Sequence, residues 1–189
     1  MNDIQILREM ISSEAQVMLQ PARGKSFVQL TDLTSGTTVR INGVPHDSIV
    51  IRAEDFENPL TIFNGSRGER KRADFVIVSN DEDERKWIIC IETQESDSKK
   101  AWHVIQQLKG ACCFINYCKC IGKSFWGSEQ FLDGYQWRFI SIVEINFNRS
   151  RRKTQHFYST SELHDCPDDF KKLPQRTTIH FSKLIHPEL

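Results

Sequence analysis

Two acids and an amide stand where strand sequences otherwise run apolar. Asp74 opens the run Asp74-Phe75-Val76-Ile77-Val78, Glu92 closes the run Trp87-Ile88-Ile89-Cys90-Ile91, and Gln94 follows two residues later. Side chains alternate along a strand, so Glu92 and Gln94 share a face. If residues 73–78 and 87–91 pair as a hairpin, the start of the first lies beside the end of the second, and Asp74 meets Glu92. Two carboxylates so placed repel unless a cation sits between them. Mg²⁺, or Mn²⁺ in its stead, suits such a place, because Mg²⁺ takes few carboxylates, several waters and phosphate oxygens. A metal there polarises a phosphate and lowers the pKa of an attacking water. Asp74 and Glu92 are the expected metal ligands, with Gln94 orienting water or phosphate. The competing reading is structural, with Asp74 as a strand-entry residue and Glu92 in a salt bridge to Arg72 or Lys109.

The loop before Asp74 carries Arg67, Arg70, Lys71 and Arg72. Beside the acids it could meet phosphates, and alone it is a solvated loop. The 25 basic residues balance 25 acidic ones, so no global field favours nucleic acid, although a local basic cleft suffices. A second basic run, residues 149–153, reads as a hairpin turn. Cys112, Cys113, Cys118 and Cys120 read as small core thiols, because two fall in a helix and C-x-C is tight for zinc. His103 lies on the polar side of that helix and reads as solvated. Phe125, Trp126 and Trp137 read as packing residues rather than base-stacking ones. No P-loop, nucleophile elbow or dinucleotide fingerprint is present.

The elements that must position these residues follow from periodicity. Ile4, Leu7, Met10, Ile11 and Met18 predict a helix over 3–19. Short strands at 26–30, 37–41 and 48–52 are punctuated by Gly36, Asn42-Gly43 and Pro45, and residues 60–63 form a further short apolar run. The strand at 87–91 is nearly all apolar and so central, covered on both faces. A helix over 98–117 buries Ala101, Ile105, Leu108, Cys112 and Ile115, and a loop with aromatic anchors covers 122–134. Strands are expected at 138–147, 154–159 and 177–184, with a helical turn within 162–172. The sum is one α/β domain over 1–189, a mixed β-sheet flanked by helices, with a core at 3–147 and a β-rich extension at 148–189. No apolar run approaches the ~20 residues that span a bilayer. The N-terminus lacks an apolar signal-peptide core, so a cytoplasmic protein without membrane contact, its thiols reduced, is expected.

Taken together, Arg72-Ala73-Asp74, Glu92-Thr93-Gln94 and the helix bearing Gln106-Gln107-Leu108-Lys109 resemble the PD-(D/E)xK nuclease superfamily. That superfamily carries an acid on one strand, acid-x-lysine on the next, and then a helix. The resemblance implies a restriction-endonuclease-like fold and Mg²⁺-dependent endonuclease activity on nucleic acid, DNA first. It also implies a role in bacterial antiviral defence, and action as a homodimer or with a protein partner. Glu14, on the first helix, matches an additional metal-site acid of some members. Gln94 departs from the pattern, since a neutral amide cannot stabilise developing charge as an ammonium does. In some members a lysine from the following helix takes over, which points to Lys99, Lys100 or Lys109, with Lys99 also meeting the nucleic acid. The same departure fits a fold that has lost catalysis and kept binding to nucleic acid or protein.

Overall fold

The computed structural model describes residues 1–22, 24–32, 36, 38–56, 62–81, 83–94, 101–143 and 163–186. Helix α1 (Asp3–Met10) opens with a capping box: Gln5 N–H donates to Asn2 Oδ1 at 2.9 Å, and Asn2 N–H to Gln5 Oε1 at 2.8 Å. The helix is half as long as periodicity suggests. The Gln16 amide donates to the carbonyls of Arg8 and Ile11 at 3.0 and 2.7 Å and closes its C-terminus. The chain then turns through a 3₁₀ segment (Ser13–Ala15), and Val17 N–H joins Val50 O at 2.8 Å.

Strands β1 (Gln20–Ala22), β2 (Lys25–Thr31) and β3 (Thr38–Val44) form antiparallel hairpins, β2 and β3 where the alternating pattern predicts them and β1 where it predicts no strand. Asn42-Gly43 does not end its strand. Gly43 adopts φ +73° inside β3, and an added Cβ would lie 2.7 Å from the His180 ring. Next come β4 (Ser48–Arg52), β5 (Phe75–Asn80) and β6 (Lys86–Gln94), an antiparallel meander, and then α2 (Ala101–Phe125). Helix α2 outruns its expected end. Gly122 is not a breaker there but a point of close approach, since a Cβ would lie 2.1 Å from the Phe131 ring. Lys119 and Lys123 both reach Asp133, at 2.5 and 3.0 Å, and pin the last turns. Strand β7 (Gln136–Val143) returns parallel to β6. Strand β8 (Lys171–Pro174) lies parallel to β7, β9 (Thr178–His180) lies parallel to β3, and α3 (Ser182–Ile185) follows.

The result is a single α/β domain with two mixed sheets, ordered β4-β5-β6-β7-β8 and β1-β2-β3-β9. One face of the larger sheet (Val76, Val78, Ile88, Cys90, Phe139) packs against α1 and α2 through Ile4, Leu7, Leu108, Ala111 and Ile115. The other face (Phe75, Ile77, Ile89, Ile91, Ile140) packs against Val28, Leu30, Val39 and Ile41 of the smaller sheet and Leu184 of α3. Strand β6 is central and covered on both faces, as its composition predicts. The expected pair of helical layers is corrected on one side, where a sheet stands in place of helices. The region expected as a β-rich extension supplies an edge strand to each sheet. The strand predicted at 154–159, the basic turn at 149–153 and Lys99 lie outside the described residues.

Candidate metal centre

The β5–β6 hairpin forms in the predicted register. Phe75 pairs with Ile91, so one step further Asp74 faces Glu92. The pairing of β4 with β5 brings a third acid. Arg52 is opposite Phe75, and Ala53 N–H donates to Asp74 O at 2.8 Å. Glu54 therefore follows directly beside Asp74. Glu54, Asp74 and Glu92 sit at one end of three adjacent strands.

Each acid has a distinct setting. Asp74 Oδ2 accepts from Thr93 N–H at 2.7 Å and Thr93 Oγ1 at 2.5 Å, so the carboxylate is aimed by the strand across from it. Glu92 is fully buried, at 0% exposure, on the helix-facing side of β6. Burial first, and then Asp74, Asp32 and Asp55 in turn, push the Glu54 carboxyl up to about 7, against the pull of Arg52. Its Oε1 is buried without a hydrogen-bond partner among the described residues. A buried carboxyl whose pKa is raised beside other acids, and whose one oxygen is orphaned, makes a place that favours a cation or a proton. The donors are all oxygen, which fits a hard divalent ion such as Mg²⁺ or Mn²⁺ rather than zinc. Among the described residues no three of His, Cys, Asp and Glu already converge as a ready ligand set.

Glu54 yields a pH test. Its folded pKa, about 7, lies above its ordinary 4.5, so the folded chain holds a proton that the unfolded chain has released. That contribution to stability is fully present below pH 4.5 and lost as the pH rises through about 7. Glu54→Gln is expected to be more stable than wild type near pH 8, by about 1 kcal/mol after solvent screening of a part-exposed group. The difference closes below pH 4.5. Urea unfolding at both pH values checks it, and equal midpoints near pH 8 would contradict the assignment.

The remaining predicted residues are dispersed. Gln94 is 3% exposed and donates Nε2 to Ser141 Oγ at 2.6 Å, cross-linking β6 and β7. Lys109 binds Asp168 at 2.9 Å, at the 3₁₀ turn before β8. Glu14 lies exposed on the Ser13–Ala15 turn, and it is Glu54 that stands beside Asp74. The Arg72 guanidinium donates to the carbonyls of Glu69 and Lys71 at 3.2 and 2.6 Å and lies over the Phe56 ring at 5.0 Å. Burial lowers its pKa from the usual arginine value. Lys71 Nζ is 2.9 Å from His103 Nδ1, which corrects the reading of His103 as merely solvated. Arg67 is exposed, and Arg70 folds over Gly65.

Two residues that strand pairing lines up with these acids lack a local signal. In register, Glu92 pairs with Ser141 and Ser141 with Lys172, so one row crosses β6, β7 and β8 on one face. Strand spacing puts the Lys172 backbone roughly 10 Å from that of Glu92, within reach of a lysine stem. Glu54 was detectable as an acid just past a strand end, once β4 was known to pair with β5.

No helix among the described residues is long and apolar enough to cross a membrane. Comparison of the chain with family models, with curated proteins and with solved structures finds no match, so the chemistry of this site rests on its own residues.

Proposed function

We propose that the protein is a metal-dependent nuclease with a restriction-endonuclease-like core, hydrolysing phosphodiester bonds in nucleic acid, DNA first. The observation that carries this reading is the pairing register, which sets Glu92 opposite Asp74 and runs Glu54 alongside Asp74 at one end of β4, β5 and β6. The order of elements supports it: a helix, an antiparallel β4-β5-β6 meander, a long helix, and a strand returning parallel to β6. Asp74 and Glu92, with Glu54 beside Asp74, would hold Mg²⁺ or Mn²⁺. The bound ion would supply a polarised phosphate and a more acidic water. Thr93 fixes the aim of Asp74. Gln94 holds Ser141, which stands in the same cross-strand row as Glu92. Lys172 brings a positive charge into that row, in the role usually filled by a lysine at the Gln94 position. A bacterial defence setting, cytoplasmic location and action as a homodimer follow from the family resemblance alone.

A second reading has its own observation. The Gln94 amide is spent inside the sheet on Ser141, which suits a core that binds nucleic acid or a protein without cutting. The deciding experiment is incubation with single- and double-stranded DNA and RNA plus Mg²⁺ or Mn²⁺, alongside calorimetry with each ion. Metal-dependent cleavage and a binding heat, both lost in Asp74→Asn, are expected. Absence of both in the wild-type protein would leave the binding reading in place.

A further inference from the structure

Helix α2 presents a solvent-facing aromatic that neither the core nor the acid site uses. Trp102 is 51% exposed. Its ring stacks on His103, with centroids 3.7 Å apart and planes at 26°. Lys71 Nζ sits 2.9 Å from His103 Nδ1 and 5.6 Å from the Trp102 ring centre. A charged ammonium can only donate, so His103 accepts at Nδ1 and carries its proton on Nε2. The indole is backed by a ring and a cation and keeps half its surface in solvent.

The basic loop is laid along the same helix. Lys71 meets His103, and Gly68 is so close to Gln106 that an added Cβ would lie 2.6 Å from its Oε1. The Lys71 carbonyl presses on Gly110, where a Cβ would lie 1.7 Å away. Positions 103, 106 and 110 follow one helical stripe, and Trp102 and Gln106 are one turn apart. The loop is held in shape from within: Glu69 accepts from the backbone N–H groups of Gly65 and Arg67 at 2.7 and 2.8 Å. Its own backbone N–H first, and then those of Arg67 and Gly65, lower the Glu69 pKa from its ordinary value. Arg67 is left exposed on that fixed backbone, next to Gly68, and the chain from this loop runs directly into Asp74.

We propose that Trp102, backed by His103 and Lys71, is a stacking platform for an unpaired base of single-stranded nucleic acid, with Arg67 and Lys71 meeting the flanking phosphates. A base within a duplex has no free face to offer an exposed indole, whereas a single strand does. An aromatic face beside a stripe of cations is the arrangement that binds single strands with little sequence preference. The proposal deepens the nuclease reading by naming the substrate form, and it places the strand on a path toward Asp74.

The test is fluorescence anisotropy on the full chain in EDTA, where cutting cannot occur. The probes are labelled oligo-dT, oligo-rU and a blunt DNA duplex of equal length. Both single strands are expected to bind more tightly than the duplex. Trp102→Ala should weaken single-strand binding about tenfold, Trp102→Phe should retain most of it, and Lys71→Ala should weaken it with a shallower salt dependence. Wild-type affinity in Trp102→Ala, equal loss in the Ala and Phe variants, or a preference for duplex each overturns the platform. So does an absence of binding to all three probes, or binding of only one of the two single strands. Because the assay contains no metal, it separates the two ideas. Trp102-dependent single-strand binding without metal-dependent cleavage keeps the platform and removes the nuclease, and cleavage that ignores Trp102 does the reverse.

Discussion

Glu92→Gln is expected to lower metal-dependent cleavage by about 10³-fold, the scale of the several kcal/mol that a metal contributes to phosphoryl chemistry. The substitution keeps the side-chain volume at a fully buried position and removes only the charge. Calorimetric binding of Mg²⁺ should weaken in parallel. The same variant distinguishes the structural reading of this acid. If Glu92 were present only to complete a buried ion pair, deleting its charge would cost about 3–5 kcal/mol of stability. As a metal ligand it should leave the melting temperature close to that of wild type. A variant that melts far earlier with unchanged ion binding would assign Glu92 to the scaffold. Wild-type cleavage in Glu92→Gln would move the active centre elsewhere.

Gly110→Ala carries the largest expected stability effect. The new methyl would lie 1.7 Å from the Lys71 carbonyl oxygen and 3.3 Å from Arg72 Cα, so its obstacle is backbone rather than a movable side-chain tip. Two terms oppose each other. Alanine is favoured over glycine within a helix by about 1 kcal/mol. Overpacking against a fixed backbone costs about 3 kcal/mol, and that term wins. The net loss, about 2 kcal/mol, should lower the melting temperature by about 4–8 °C in a chain of this size. Circular dichroism melts check it. An unchanged melting temperature would mean that α2 does not ride on the Lys71–Arg72 backbone. Since that backbone leads into Asp74 and carries Lys71, single-strand binding should fall with it.

The larger sheet and its main helix are legible in the sequence because their signals are local. The apolar runs before Asn80 and Gln94 form β5 and β6, and turn length sets their register, so the placing of Asp74 opposite Glu92 follows from neighbouring residues alone. What the sequence hides is set by pairing between distant segments. Glu54 joins the acids only because β4 lies against β5, and Lys172 reaches their row only through the parallel β7–β8 pair. The end of α2 is hidden for a different reason. Gly122 resembles a helix terminator but serves to admit Phe131, and a close approach leaves no mark on local propensity. The covering of the sheet's second face by strands rather than helices is also non-local. Val28, Leu30, Val39 and Ile41 show that one face is buried, without showing what buries it.

The pairing of β3 with β9 bears on how the chain acquires its shape. Strand β3 is flanked by β2 on one side, and its other edge is covered by residues 178–180, which are made long after it. Until they dock, β3 presents a row of unsatisfied N–H and C=O groups, a template for pairing with another chain. Closure over so long a stretch of sequence is slow, because the entropy of bringing its ends together is lost before the contacts form. The smaller sheet should therefore be the last part to become protected from hydrogen exchange during refolding. Shortened chains that lack residues 178–180 should associate through the open edge of β3 rather than simply unfold.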